Sequence, residues 1–232
     1  MVIKPLYLLA DSQLLFWKSD SDSLAERLHA DLDTSNPKAV YVGASNGDQP
    51  EFYSLFQAAM GAMGIANCRA VPSQPSKEDI LFMEEAHLML LAGGDVELGW
   101  RTFEQNGLKE LVTRKRFDGA VLIGVSAGAI QLGLGALSNA AQPKPLDMFR
   151  FAPFYVGAHD EENDWWDLRA LVNLSQSDAR AIGLPVGGGA IYYADGTLEP
   201  LRKPLIEIVK EDSKITENLM LAQAEHPGAE ES

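Results

Sequence analysis

The chemistry in this sequence is concentrated in five residues, Gly124-Val125-Ser126-Ala127-Gly128. They follow the apolar run Val121-Leu122-Ile123 and lead into Ala129-Ile130-Gln131-Leu132, so the serine falls where a strand gives way to a helix. In that context Gly-x-Ser-x-Gly makes a sharp turn that pushes the serine Oγ out beyond the sheet edge, where it can act as a nucleophile. The small neighbours leave room for strand and helix to approach each other. The N–H of Ala127, at the helix start, can stabilise an oxyanion, and Gly93-Gly94-Asp95, after the preceding apolar run, can supply the second donor. The plain alternative is a serine that only caps a helix.

A serine nucleophile needs a base. Of the four histidines, His29 falls in a predicted helix, His87 precedes a buried strand and His226 lies near the acidic carboxyl end. His159 closes the apolar stretch Phe154-Tyr155-Val156-Gly157-Ala158, 33 residues after Ser126, where a strand end can return it to the serine. It is the candidate base. Beyond it runs Asp160-Glu161-Glu162-Asn163-Asp164-Trp165-Trp166-Asp167-Leu168-Arg169. The candidate substrate contacts are therefore Asp95, Asp160, Glu161, Glu162, Trp165 and Arg169, with the acids favouring an amine or guanidinium and Trp165 or Trp166 forming an apolar or cation–π wall. The competing reading is a solvated acidic loop anchored by one buried tryptophan. Cys68 reads as a small buried hydrophobe rather than a nucleophile.

Positioning these residues requires strands that end at one edge. Apolar runs at residues 6–10, 39–43, 88–92 and 119–124 each end in glycine or small polar residues and read as buried parallel strands. Helical spacing occupies residues 23–32, 50–63 and 98–116 between them, and a further helix is expected over 127–137. A Pro-containing connection at 138–146 then leads to an apolar run at 151–157. Residues 190–193, the turn Asp195-Gly196 and residues 204–209 read as a carboxyl-terminal β-hairpin. The expectation is an α/β fold, a doubly wound, mostly parallel sheet with helices on both faces, in a single domain over residues 1–212. Residues 213–232, acidic and without an apolar face at their end, read as a mobile tail.

Composition narrows the partners. With 19 Lys+Arg against 33 Asp+Glu the net charge is −14, a field that repels a phosphate backbone, so nucleic acid is not an expected partner. One cysteine among 232 residues permits neither an internal disulfide nor a thiolate metal cluster. The apolar run at 6–10 is too short for a membrane span or a secretory signal, so a cytoplasmic location and no membrane partner are expected. No metal or organic cofactor is implied, and the chain is expected as a monomer or homodimer.

Together Tyr41-Val42-Gly43-Ala44-Ser45-Asn46-Gly47-Asp48, Leu91-Ala92-Gly93-Gly94-Asp95, Ile123-Gly124-Val125-Ser126-Ala127-Gly128-Ala129, the stretch ending at His159 and Ala181-Ile182-Gly183-Leu184-Pro185 are similar in order and spacing to one family. The sequence resembles, over about residues 5–210, the serine peptidases of the dipeptidase E and cyanophycinase type, whose fold is like that of the class I glutamine amidotransferases. The resemblance implies Ser126 as nucleophile, His159 as base, the Gly94 and Ala127 amides as oxyanion hole, and a small peptide as substrate, cleaved at a peptide or isopeptide bond through an acyl-serine. Two departures stand out. The family commonly places a glutamate two residues after the Gly-Leu pair, and here that position is Val186, leaving Asp160, Glu161, Glu162, Asp195 and Glu51 as alternatives for the missing acid. The family also tends to carry basic residues after the histidine, where this sequence is acidic. The rival expectations are a weakly catalytic or inactive binding protein, favoured by Val186, and a hydrolase specialised for a biosynthetic peptide or amide.

Overall fold

The computed structural model describes residues 2–18 and 23–222. Along the chain these form β1 (Leu6–Leu9), α1 (Leu24–Asp31), β2 (Lys38–Val42), α2 (Pro50–Ala62), β3 (Asn67–Val71), α3 (Lys77–Glu84), β4 (Leu88–Leu91), α4 (Val96–Gln105), α5 (Leu108–Phe117) and β5 (Val121–Val125). There follow α6 (Ala127–Leu132), β6 (Gly135–Leu137), β7 (Pro145–Asp147), β8 (Tyr155–Ala158), α7 (Trp166–Leu174), β9 (Ala179–Leu184), β10 (Gly189–Tyr192), β11 (Leu198–Leu201), β12 (Leu205–Glu211) and β13 (Lys214–Met220).

The near-continuous apolar strands build a seven-stranded sheet in the order β11-β10-β1-β5-β4-β2-β3. Strands β1, β5, β4, β2 and β3 run parallel, while β10 and β11 add an antiparallel edge. Side chains alternate across it, as the pleat dictates. Leu6, Leu8, Val42, Met89 and Leu91 pack with Met83, Phe103, Val112 and Leu132 from α3, α4, α5 and α6 on one face. Tyr7, Leu9, Tyr41, Leu90 and Ile123 pack with Leu28, Phe56 and Met60 from α1 and α2 on the other. Burying each such large side chain stabilises the fold by about 1.5–3 kcal/mol, so both helical layers are fixed to the sheet by packing. The doubly wound α/β architecture is as expected.

A second sheet, β13-β12-β9-β8, carries a parallel β8/β9 pair with antiparallel β12 and β13. It changes two expectations. The hairpin around Asp195-Gly196 joins β10 to β11, with Tyr192 opposite Leu198; the segment 204–209 belongs instead to β12, because Arg202 (φ 63) and Pro204 turn the chain out of the first sheet. The tail does not begin at residue 213: a turn at Asp212-Ser213, both at positive φ, folds Lys214–Met220 back against β12 from Glu211↔Lys214 to Leu205↔Met220. Backbone pairing, rather than burial, holds that strand. Residues 223–232, which include His226 and most of the acidic end, lie outside the described residues.

Other boundaries shift for local reasons. The helical stretch at 98–116 is two helices, broken at Gly107, which is left-handed (φ 70). The helix after Ser126 stops at Leu132 and continues as β6, and the apolar run at 151–157 becomes extended only from Tyr155. Unassigned from sequence were β3, α3, α7 and β9; α3 is announced by a capping box in which Ser76 Oγ accepts from Asp79 N–H and Asp79 Oδ2 accepts from Ser76 N–H. Among the described residues no helix is long and apolar enough to cross a membrane.

Candidate active site

The carboxyl ends of the parallel strands bring four loops to one edge: Asp11 after β1, Ser45 and Asn46 after β2, Gly93-Gly94 after β4 and Ser126 after β5. Open α/β sheets bind ligands at this edge.

Ser126 is held at φ 49, ψ −109, a strained conformation for a residue with a side chain, and its N–H donates to Leu9 O at 2.8 Å. The flanking glycines are steric necessities. A Cβ at Gly124 would lie 2.5 Å from Ala129 N, and one at Gly128 would lie 2.1 Å from Leu91 O, so α6 can pack against β5 and β4 only where side chains are missing. The backbone is thereby forced to present Ser126 Oγ at the sheet edge.

The candidate base arrives from the second sheet. His159 follows β8 at φ 45, and its N–H donates to Leu184 O (2.9 Å) at the end of β9. Its Nε2 stands 2.7 Å from Ser126 Oγ, within reach for proton transfer. With the ring proton on Nδ1, Nε2 accepts from the hydroxyl. Among the described residues no carboxylate hydrogen-bonds to Nδ1. Glu161 instead accepts the Val186 N–H on Oε1 at 2.6 Å. Asp160 Oδ1 accepts from Asn163 Nδ2 (2.8 Å), Asp195 Oδ1 accepts from Thr197 N–H in the hairpin turn, Glu51 starts α2, and Glu162 is exposed in the turn after His159.

Opposite the serine, Gly94 adopts φ +134, open to glycine alone, and a Cβ there would meet Ser45 O at 2.1 Å. Asp95 N–H donates to that same carbonyl at 2.7 Å, and the Gly94 and Ala127 N–H groups have no protein acceptor among the described residues. The buried Gln131 Nε2 braces this wall by donating to Ser45 Oγ (3.1 Å) and Val96 O (2.9 Å).

Two cavities flank the Ser126–His159 pair. One, of 560 Å³, contains Ser126, Gly93, Gly94 and His159; the other, of 410 Å³, reaches His159 and Gly94 and is bordered by Asp95, Asp160 and Asp167. Burial, reinforced by the neighbouring charge of Asp160, pushes the Asp167 carboxyl above the ordinary aspartate value. Of the remaining candidate contacts, Asp95 caps α4 through Leu98 N–H (2.8 Å) and accepts from Asn139 Nδ2. Trp165 is no substrate wall. It is 6% exposed and packs on Gly183, Leu168 and Ile208 as the anchor of the loop, whereas Trp166 is exposed. Arg169 lies at neither cavity: Asp164 and Glu217 on β13 hold its guanidinium.

The other two histidines among the described residues have structural places, His29 on Met63 O and His87 Nδ1 accepting from Lys38 N–H. Burial, then the Lys115 and Lys38 charges, push the His87 imidazole below its ordinary value, and burial pushes the Cys68 thiol up, so neither is an activated group. No group of three or more His, Cys, Asp or Glu among the described residues could hold a metal ion. Sequence reading missed Asp11 and the apolar wall from α2. Asp11 was findable, since it follows its strand as Gly93 and Ser126 follow theirs; Phe52 and Leu55 look like ordinary surface residues until the helix is docked.

Fold and site together define an α/β protein with a serine at a tight strand-to-helix turn and a histidine in hydrogen-bonding distance. The chain belongs to peptidase family S51, whose model matches residues 7–195. No curated protein sequence matches it. Among solved structures it is similar to a peptidase from an acI-B1 Actinobacterium, with TM-score 0.67, 17% identity and 96% of each chain covered. It is also similar to a protein assigned as a peptidase E from Listeria monocytogenes EGD-e, with TM-score 0.61 and 14% identity over 86% of this chain and 98% of that one. At these identities the likeness is one of fold.

Proposed function

We propose that this protein is a serine peptidase that cleaves a small peptide at a peptide or isopeptide bond through an acyl-Ser126 intermediate. The observation that carries the reading is the 2.7 Å approach of His159 Nε2 to Ser126 Oγ at a strained elbow opening into a cavity. Family membership supports the reaction class.

In this mechanism Ser126 Oγ attacks the scissile carbonyl carbon while His159 Nε2 takes its proton. The carbonyl oxygen becomes an oxyanion between the Gly94 and Ala127 N–H groups. The C–N bond then breaks, and the imidazolium returns the proton to the leaving amine. Water, deprotonated by the same nitrogen, attacks the ester, and the acid departs as Ser126 regains its hydrogen. The strain at Ser126 and the rigid glycine packing hold the donors in place before substrate arrives, so no reorganisation is needed during the reaction.

Val186 favours a second reading, a binding protein of weak or no activity, because an imidazolium without a carboxylate partner is stabilised less. One experiment separates the two: treatment with a fluorophosphonate and location of the adduct by mass spectrometry. Labelling of Ser126 that disappears in Ser126→Ala and falls sharply in His159→Ala is the expected result; an unlabelled, folded protein would establish the binding reading instead.

A further inference from the structure

The larger cavity specifies what the substrate carries on the acyl side of the scissile bond. Its walls are Leu15, Phe52, Leu55 and Phe56, with Leu90 and Leu98 beside the sheet edge. Phe52, Leu55 and Leu98 are 44%, 43% and 46% exposed, an unusual outlay of large apolar surface at the rim of one hollow. Among the described residues no lysine or arginine lines it. The one carboxylate among its described lining residues, Asp11, has both oxygens engaged, Oδ1 by Gln13 N–H at 2.9 Å and Oδ2 by Gly187 N–H at 2.6 Å. An acidic side chain entering this space would lose its hydration with no cation to meet it, while an apolar one would bury surface against six apolar walls. A volume of 560 Å³ lies within the range of about 300–1,000 Å³ typical of small-ligand sites.

Orientation follows from the catalytic pair. The leaving nitrogen must face His159 Nε2, and the acyl carbon must sit on Ser126 Oγ; the first cavity reaches both residues and so receives the acyl substituent. The second cavity touches His159 but not Ser126, which places it on the leaving-group side.

We infer that the substrate is a short peptide whose residue on the acyl side of the scissile bond is large and apolar, not acidic. The assignment of sides rests on the acyl-enzyme reading above; the preference of the cavity itself does not. The test titrates folded Ser126→Ala protein with Phe-Ala, Ala-Phe and Asp-Ala, each also extended by an amino-terminal Ala, and follows binding by calorimetry. Expected is binding of the Phe-Ala peptides at least tenfold tighter than of the Asp-Ala or Ala-Phe peptides, a discrimination in the range that a hydrophobic pocket supplies. Leu55→Arg, added on the solvent-facing rim of α2 and checked for an unchanged thermal midpoint, should narrow or reverse the Phe/Asp ratio. Equal or tighter binding of Asp-Ala, a ratio unmoved by Leu55→Arg, or no binding of any peptide would overturn the inference. Turnover by the wild-type protein is read separately: preferential binding of Phe-Ala without its cleavage would sink the peptidase reading and leave the apolar pocket standing.

Discussion

The Val186 N–H donates to Glu161 Oε1 at 2.6 Å, tying the turn that follows His159 to the turn that follows β9. His159 is anchored to the same place by its own N–H on Leu184 O. In the proposed mechanism Glu161 is thus a positioning residue for the candidate base. Because the carboxylate is exposed, its hydrogen bond is worth less than a buried charged one, about 1 kcal/mol. Glu161→Ala should slow fluorophosphonate labelling of Ser126 by about three- to tenfold, with a near-native thermal midpoint and an unchanged labelling rate in Glu162→Ala. Equal effects of the two substitutions would remove the role.

Gly94→Ala should cost about 10²–10³ in turnover, the usual loss when one oxyanion donor is misplaced. The added methyl cannot be accommodated at φ +134 and 2.1 Å from Ser45 O, so the loop must shift and carry the Gly94 N–H with it. Loss confined to kcat, with KM little changed, would identify a transition-state contact; a lower midpoint should accompany it.

Ser126→Gly should abolish labelling yet raise stability above that of Ser126→Ala. Strain at a left-handed non-glycine residue amounts to about 1–3 kcal/mol, against about 0.5–1 kcal/mol for the entropy of an added glycine. Denaturant titration of the two variants decides it, and a Gly variant less stable than the Ala variant would show that Ser126 is not strained.

Acid should weaken the fold through Asp79. Burial acts against its ionisation, but the Ser76 hydroxyl and N–H and the Arg69 guanidinium together hold its carboxyl below the ordinary aspartate value. A depressed folded-state pKa gives stability that is present above the unfolded value and lost as pH falls through the folded one. Asp79→Asn should therefore lower the thermal midpoint at pH 7, and the difference from wild type should shrink below about pH 4. A difference independent of pH would assign the loss to the cap geometry alone.

The elbow, its serine, the glycines and the candidate base were all legible in the sequence, because a strand-to-helix turn that tight admits few residue types. The Gly128 contact with Leu91 O is the physical form of that constraint. The main strands were legible too, since a parallel strand covered on both faces is apolar throughout. The β3 residues, only partly buried, gave no such signal, and the Lys214–Met220 strand is exposed along most of its length, so its pairing with β12 leaves no trace in hydropathy.

The sequence by itself determined the candidate chemistry: a serine at a tight strand-to-helix turn, two candidate backbone donors and one histidine as candidate base. Which groups meet was decided by the tertiary structure. His159 and Ser126 stand 33 residues apart, each just after a strand of a different sheet, and their 2.7 Å separation depends on how α6 packs against both β5 and β8. Trp165 became an anchor and Arg169 the partner of Glu217 for the same reason, because local spacing specifies a face or a turn but not what packs across it. The apolar cavity is the clearest case. Phe52, Leu55 and Leu98 come from two helices, and only their common position over the carboxyl edge of the sheet makes a single wall of them.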